Sequence, residues 1–471
     1  MLFTSLPFLV FFVVCYLSYW RIRTRAAQQW FLVAASLFFY GWWDYRFVAL
    51  MLFVALVAYF GALAISGCRD RRQRRLLLIA SLSAHLGVLF FFKYYNFFMD
   101  SWRGGAALLG ISADLPAWRV ILPVGISFYT FHAISYTVDV YRAAVRPDHS
   151  FREVLLYIAF FPQLVAGPII RSSFFMPQLR TPRHRSDERL ADGLRLFLIG
   201  FFYKAVIADT LATIADPVFA DPQRWTTMGL WGGALAYYGQ IYFDFNGYTT
   251  MAIGIAWFFG YHLPDNFNVP YSARNIADFW HRWHISLSTW LRDYLYVPLG
   301  GNRSGRRRQY RNLMLTMLLG GLWHGASWNF VIWGGLHGLA LIIHKQWGQW
   351  TAGRKATAWG LLPSLLLTQL WVLVAWIFFR SASLEDALTM LGRMAGSRAL
   401  DGQESLPPWL LLAVLLPVIA DAVLGRLQAR VPGNWVIKLD RRAYAVFVGV
   451  VAAICLWLMP LNSAPFIYFQ F

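Results

Sequence analysis

The stretch from Asn312 to His344, NLMLTMLLGGLWHGASWNFVIWGGLHGLALIIH, decides how the rest of the chain is read. It is apolar throughout, except where it sets His324 among large aromatics and glycines that permit close backbone approach. An ionisable side chain at membrane depth costs a few kcal/mol on insertion scales, so it faces a cavity or a partner and is a functional candidate. The plainer reading is a neutral imidazole hydrogen-bonded between helices. The stretch is too long for one untilted span and carries Gly320-Gly321 and Gly334-Gly335. Two short helices or a broken pair are expected there.

Composition places the whole chain in the membrane. Of 471 residues, 58% are hydrophobic and only 14% charged, with mean hydropathy +0.47. These values exclude a soluble globular domain. The apolar runs are continuous and about 20 residues long instead of alternating in ~10-residue segments, which indicates helices and not a barrel. A net charge of +19 suggests nucleic acid at first sight, but the basic residues form short clusters between apolar spans. That is the positive-inside pattern of a membrane protein, so no nucleic-acid partner is expected. The three cysteines, Cys15, Cys68 and Cys455, lie in or beside apolar runs without metal spacing, giving neither a disulfide framework nor a zinc site. The N-terminal run lacks a basic leader and a cleavage motif and is followed by RIRTR, so it reads as an uncleaved first helix.

Apolar spans are expected near 3–20, 28–44, 46–67, 76–98, 119–141, 190–214, 228–260, 358–379, 408–425 and 443–462. Irregular membrane-embedded material is expected around 153–170, 265–300 and 312–344. The clusters at 21–25, 69–75, 142–152, 171–189, 303–311 and 426–442 should be cytoplasmic by their lysine and arginine bias, with both chain termini and the polar loop 381–407 outside. Segment 153–170 starts and ends on one side and contains Pro162 and Ala166-Gly167-Pro168. It reads as a re-entrant element whose freed backbone groups find protein partners. No internal repeat or low-complexity linker is visible, so one membrane domain is expected over 1–471, with no soluble catalytic domain appended.

Chemistry concentrates upstream of the central stretch, in YSARNIADFWHRWHISLSTWLRDYLYVPLGG at 271–301. Its mixture of aromatics with Asp278, His281, Arg282, His284, Arg292 and Asp293 is too polar to meet lipid. If helical from 277, it places His281, His284 and Ser288 on one face. A metal site of His281, His284 and His324 lacks a carboxylate or cysteine to complete it, so no metal is expected. An acid–base reading is stronger, because a neutral imidazole can accept a hydroxyl proton near pH 7 and return it to a leaving group, as acyl transfer requires. Asp244 either orients an imidazole, binds Arg282 or Arg292, or forms a structural ion pair. Asn246, Asn266 and Asn268 either line a donor site or satisfy broken backbone. His337 reads as a packed or helix-end histidine with a secondary role left open, and His85 and His132 as satisfied interhelical groups. The clusters at 69–75 and 303–311 read first as topology determinants, with phosphate attraction the alternative.

Several long stretches in order carry a resemblance. Trp323-His324-Gly325, FWHRWHISLSTWLRDYLYVPLGGNR at 279–303, YFDFNGYTTMAIGIAWFFG at 242–260, DNFNVPY at 265–271, ILPVGISFYTFHAISYTVDVYR at 121–142, FFPQLVAGPIIR at 160–171 and PFIYFQF at 465–471 closely resemble the membrane-bound O-acyltransferase family. The likeness is to its bacterial branch, of which the membrane subunit of alginate O-acetylation is typical. The family's invariant histidine matches His324, and its second polar position, histidine in bacterial members and asparagine in many eukaryotic ones, matches His284. His281 departs from the pattern, which usually has arginine there.

The resemblance implies an all-α, polytopic helical membrane protein with re-entrant or broken helices around a central funnel or tunnel. It further implies a multi-pass protein of the bacterial inner membrane that carries acetyl groups from a cytosolic donor, acetyl-CoA, toward an exported polysaccharide. Alginate comes first as acceptor, with cellulose and peptidoglycan behind it. No tightly held cofactor is implied. His324 is then the catalytic base and His284 its positioning or proton-sharing partner, while Asp244, Asn246, Asn266, Asn268, Arg282, Trp323 and Asn329 are candidate substrate-binding residues. The acceptor hydroxyl belongs to the polysaccharide or to the serine of a periplasmic SGNH-type acetyltransferase partner, and membrane lipid surrounds the whole. A transporter or exporter is the rival of another class, but no inverted repeat is visible. A lipid-linked-sugar glycosyltransferase would want acidic residues in an outer loop, and Glu385, Asp386, Asp401 and Glu404 form no such set.

Overall fold

Several helices begin where the sequence supplies a cap. The side chains of Ser5, Thr24, Asp70 and Ser150 accept hydrogen bonds from the backbone N–H groups of Phe8, Ala27, Gln73 and Glu153. Each satisfies one of the donors that a helix start leaves free. The computed structural model describes the chain except 112–117, 148–149, 166, 304, 352–359, 397–403, 431–440 and 459–471. Ala166, Asp401, the end of the last expected span and the terminal PFIYFQF therefore lie outside the described residues. Among the described residues the architecture is all-helical, and the only β-type contact is an isolated bridge between Trp225 and Glu404. Four described helices are long and apolar enough to cross a membrane: Arg46–Gly67, Arg71–Leu108, Asp187–Ala220 and Leu361–Arg380.

Two compact units organise these helices, Met1–Leu194 with Ala252–Pro264, and Arg195–Met251 with Asp265–Phe471. In the first, the helix Ile126–Tyr141 is buried nearly all round, as expected of an element enclosed by others. The helix Phe151–Ala159 ends at Phe160, and the broken backbone beyond it finds partners as expected. Phe161 N–H donates to Ser36 Oγ at 3.1 Å, Ile170 N–H to His132 Nε2 at 3.2 Å, and Tyr157 OH to the Ile170 carbonyl at 2.9 Å. His132 is thus an acceptor that holds the return of this segment, in keeping with a structural role.

Several boundaries differ from the sequence expectation for clear reasons. The basic runs at 71–75 and 306–311 are the first turns of the helices Arg71–Leu89 and Arg306–His324 and not loops. Arginine is a good helix former, and its long side chain carries the charge away from the apolar body. The span expected from 119 starts only at Ile126, after Pro123 and a left-handed Gly125. The loop expected from 381 contains a helix, Leu384–Met394, started by a reciprocal capping box between Ser383 and Asp386. Arg393 at its end donates to the carbonyls of Gln223 and Trp225, docking it within the second unit.

Candidate active site

The second unit folds the central stretch into two long helices, Arg306–His324 and Trp328–Trp350. The chain breaks at Gly325-Ala326-Ser327, directly after His324, and not at either glycine pair. Those glycines set the packing: a side chain on Gly321 would overlap the Phe330 carbonyl and approach Gly334 Cα to 3.2 Å. Gly334 faces Met317 and Gly338 faces Met314, so the two helices run antiparallel in near-backbone contact. His324 consequently sits at the turn of a tightly packed hairpin, 4% exposed.

Aromatic rings surround it. His324 lies 5.0 Å from Trp323, 4.9 Å from Trp333 and 5.3 Å from Phe379 by ring centroids, all edge-to-face. His284, fully buried, is 6.4 Å from His324 and 4.7 Å from Phe245. The continuous helix considered for 277–288 does not form. Ile276–Arg282 and Ile285–Leu291 are separate helices, and His284 between them adopts φ +41°, ψ +56°. A histidine in this left-handed region costs of order 1–2 kcal/mol, which the surroundings must supply. They do so through the 265–271 loop: Asn268 N–H donates to the Arg282 carbonyl and Ile285 N–H to the Asn266 carbonyl, each at 2.9 Å. The break turns His281 to the exterior while His284 points inward, so the two do not share a face.

The same loop fixes the chemistry of His284. Asn266 Oδ1 accepts the Ser286 backbone N–H at 3.2 Å and the Ser286 hydroxyl at 2.8 Å. A backbone N–H can only donate, so this atom is the amide oxygen and not the nitrogen. It also meets His284 Nδ1 at 3.1 Å, so Nδ1 carries the proton. The neutral ring therefore presents its lone pair on Nε2, which is buried and has no hydrogen-bond partner among the described residues. Two imidazoles within one aromatic enclosure, one with a fixed tautomer and an open basic nitrogen, are equipped to take and return a proton.

The remaining candidates divide. Trp323 and Asn266 join the two histidines. Asn329 donates to the Ser381 carbonyl at 2.8 Å and holds the helix pair against the end of Leu361–Arg380. Asp244 meets Lys204 Nζ at 2.9 Å, and Asp209 meets the same ammonium at 2.7 Å, all three side chains buried. This is the structural ion pair among the alternatives for Asp244; Arg282 is engaged by Asp278 and Arg292 by Asp293. Asn246 donates to Tyr242 OH, which itself donates to Asp421 at 2.8 Å, forming a separate network. Asn268 is exposed and its carbonyl accepts from Arg282. Sequence reasoning overlooked Lys204, a lysine in an apolar run whose presence alone called for a carboxylate partner. It also overlooked Trp333, Phe379 and Phe245, which carry no signal beyond being apolar. Among the described residues, no three His, Cys, Asp or Glu side chains gather as metal ligands would.

Comparison with known proteins decides the family. The sequence profile of the membrane-bound O-acyltransferase family matches residues 89–384, which include both histidines and the aromatic rings around them. The chain belongs to this family. As a membrane-bound O-acyltransferase it is 42% identical over 398 residues to a Pseudomonas putida protein named "Probable alginate O-acetylase AlgI", covering 84% of this chain and 80% of the relative. It is 40% identical over 423 residues to the "Peptidoglycan O-acetyltransferase" of Helicobacter pylori, covering 83% and 79%. At 28% identity over 269 residues, 54% of this chain and 67% of the relative, it also resembles the "Teichoic acid D-alanyltransferase" of Bacillus subtilis. All three names describe transfer of an acyl group to a polymer: alginate, peptidoglycan or teichoic acid. The protein is a membrane O-acyltransferase.

Proposed function

We propose that this O-acyltransferase resides in the bacterial inner membrane and moves acetyl groups from cytosolic acetyl-CoA toward the outer face, where they O-acetylate an exported polysaccharide, alginate. The observation that carries the reading is the buried His324–His284 pair, with the His284 lone pair fixed on Nε2 by Asn266. His324 takes the proton of the acceptor hydroxyl as its oxygen attacks the thioester carbonyl. The positive charge is shared with His284 through the open nitrogen. The tetrahedral intermediate then expels the thiolate, the C–S bond breaks, and the imidazolium returns the proton to sulfur. Acceptor proton and donor thiol balance, and no external base is consumed.

The acceptor hydroxyl belongs to the polysaccharide or to a serine of a periplasmic SGNH-type partner that completes delivery. The 42% identity to the Pseudomonas relative favours alginate, and the 40% identity to the Helicobacter relative supports peptidoglycan as the second reading. The test uses purified protein in detergent, radiolabelled acetyl-CoA and alginate or peptidoglycan fragments, with the serine of any co-purifying partner monitored for label. Wild type should transfer label, and His324→Ala should lose about 10²–10⁴-fold while still binding the donor. Near-normal transfer by the alanine variant sinks the assignment of His324.

A further inference from the structure

His337 belongs to the same aromatic enclosure but to neither the proposed proton transfer nor any hydrogen bond among the described residues. It is fully buried, and both of its ring nitrogens are unpartnered. Trp333 stands between it and His324, with ring centroids 4.7 Å from His337 and 4.9 Å from His324. Trp280 meets His337 edge-on at 5.1 Å, and Phe279 stacks on it at 6.0 Å. The indole Nε1 atoms of Trp280 and Trp333 are likewise buried without a hydrogen-bond partner among the described residues. An unpaired buried donor forgoes water's hydrogen bonds, and three such groups on adjoining rings call for an explanation.

Position narrows the explanation. The antiparallel register, with Met314 against Gly338 and Met317 against Gly334, sets His337 at the level of Met314–Met317. It is therefore displaced from His324 toward the end of the hairpin that bears Arg306–Arg311, the end read from the sequence as cytoplasmic. Two indole N–H donors and an imidazole with one donor and one acceptor, walled by apolar rings, match a secondary amide. Its carbonyl takes an N–H and its own N–H meets the imidazole lone pair. We propose that His337, Trp280 and Trp333 form a subsite for the amide-bearing arm next to the thioester of the acyl donor, on the donor side of His324. This rests on the reading of acetyl-CoA as donor, whose thiol arm carries amides in series.

The experiment compares wild type, His337→Phe, His337→Gln and Trp280→Phe with two donors, acetyl-CoA and the amide-free thioester S-ethyl thioacetate, and measures binding of coenzyme A by calorimetry. His337→Phe keeps a ring against Trp333 and Trp280 but no hydrogen-bonding atom. It should raise the acetyl-CoA KM and weaken coenzyme A binding by about tenfold, with kcat within threefold and S-ethyl thioacetate turnover unchanged. His337→Gln should restore most of the binding, and Trp280→Phe should weaken it several-fold without disturbing the helix pair, which keeps the test available if His337→Phe does not fold. Unchanged KM and coenzyme A binding in folded His337→Phe and Trp280→Phe overturns the subsite, as does equal loss with both donors. Wild type that neither binds coenzyme A nor uses either thioester refutes the donor reading itself, a result distinct from a subsite failure.

Discussion

Asn266→Ala removes one oxygen and tests how the two imidazoles are prepared for proton transfer. That oxygen accepts from Ser286 N–H, the Ser286 hydroxyl and His284 Nδ1. In the resting state the His284 bond is between neutral groups and is worth about 0.5–1.5 kcal/mol. When His284 shares positive charge, the same bond becomes charge-assisted, about 1.5–3 kcal/mol. Only the difference, about 1–1.5 kcal/mol, lowers the barrier, which converts to roughly 5- to 15-fold in kcat. Freeing the ring to carry its proton on either nitrogen adds about a further twofold, since half the molecules then lack the lone pair at Nε2. Acetyl transfer measured with saturating acetyl-CoA should fall by about 10- to 30-fold in kcat, with KM little changed. The stranded Ser286 N–H should also lower stability by about 1–3 kcal/mol, read as a thermal midpoint in detergent. A double variant with His284→Ala should be no slower than His284→Ala alone, because Asn266 acts through His284. A folded Asn266→Ala protein with kcat within twofold of wild type, or strictly additive losses in the double variant, refutes the reasoning.

Other expectations follow from the same geometry. His284→Asn should retain measurable transfer while His284→Ala loses most of it, because asparagine keeps a polar atom beside His324; equal, complete loss in both folded variants makes His284 a second obligatory base. Gly321→Ala should destabilise by about 1–3 kcal/mol and slow transfer, since its methyl overlaps the Phe330 carbonyl, whereas Gly335→Ala, which meets only Leu318 at 3.6 Å, should be neutral or stabilising in the same thermal assay. Lys204→Met strands two buried carboxylates and should cost about 3–5 kcal/mol, with most of the loss recovered when Asp209→Asn and Asp244→Asn are added. Recovery failing in that triple variant would show that Lys204 does more than neutralise its neighbours.

What the sequence by itself determined is whatever local free energy encodes. Continuous apolar runs gave helices and Pro162 marked the broken segment, whereas the helix Leu384–Met394 reads as loop in the sequence because the rise in polarity outweighs its cap. The setting of His324 in Trp-His-Gly was legible because a lone ionisable group in an apolar run is conspicuous, and the resemblance carried His284 with it. Tertiary structure alone decided the rest. The helical period put His281 and His284 on one face, but a backbone reversal held by Asn266 and Asn268 sent them to opposite environments. Asp244 found Lys204, forty residues away, because burying either charge unpaired costs more than any local preference. Phe379 closes over His324 from a helix that no motif links to it. The proton position on His284 likewise comes from a carbonyl supplied by a distant loop. Composition and periodicity report the energy of a residue in its own element, whereas the partner of a buried polar group depends on which elements pack, and that is settled only when they do.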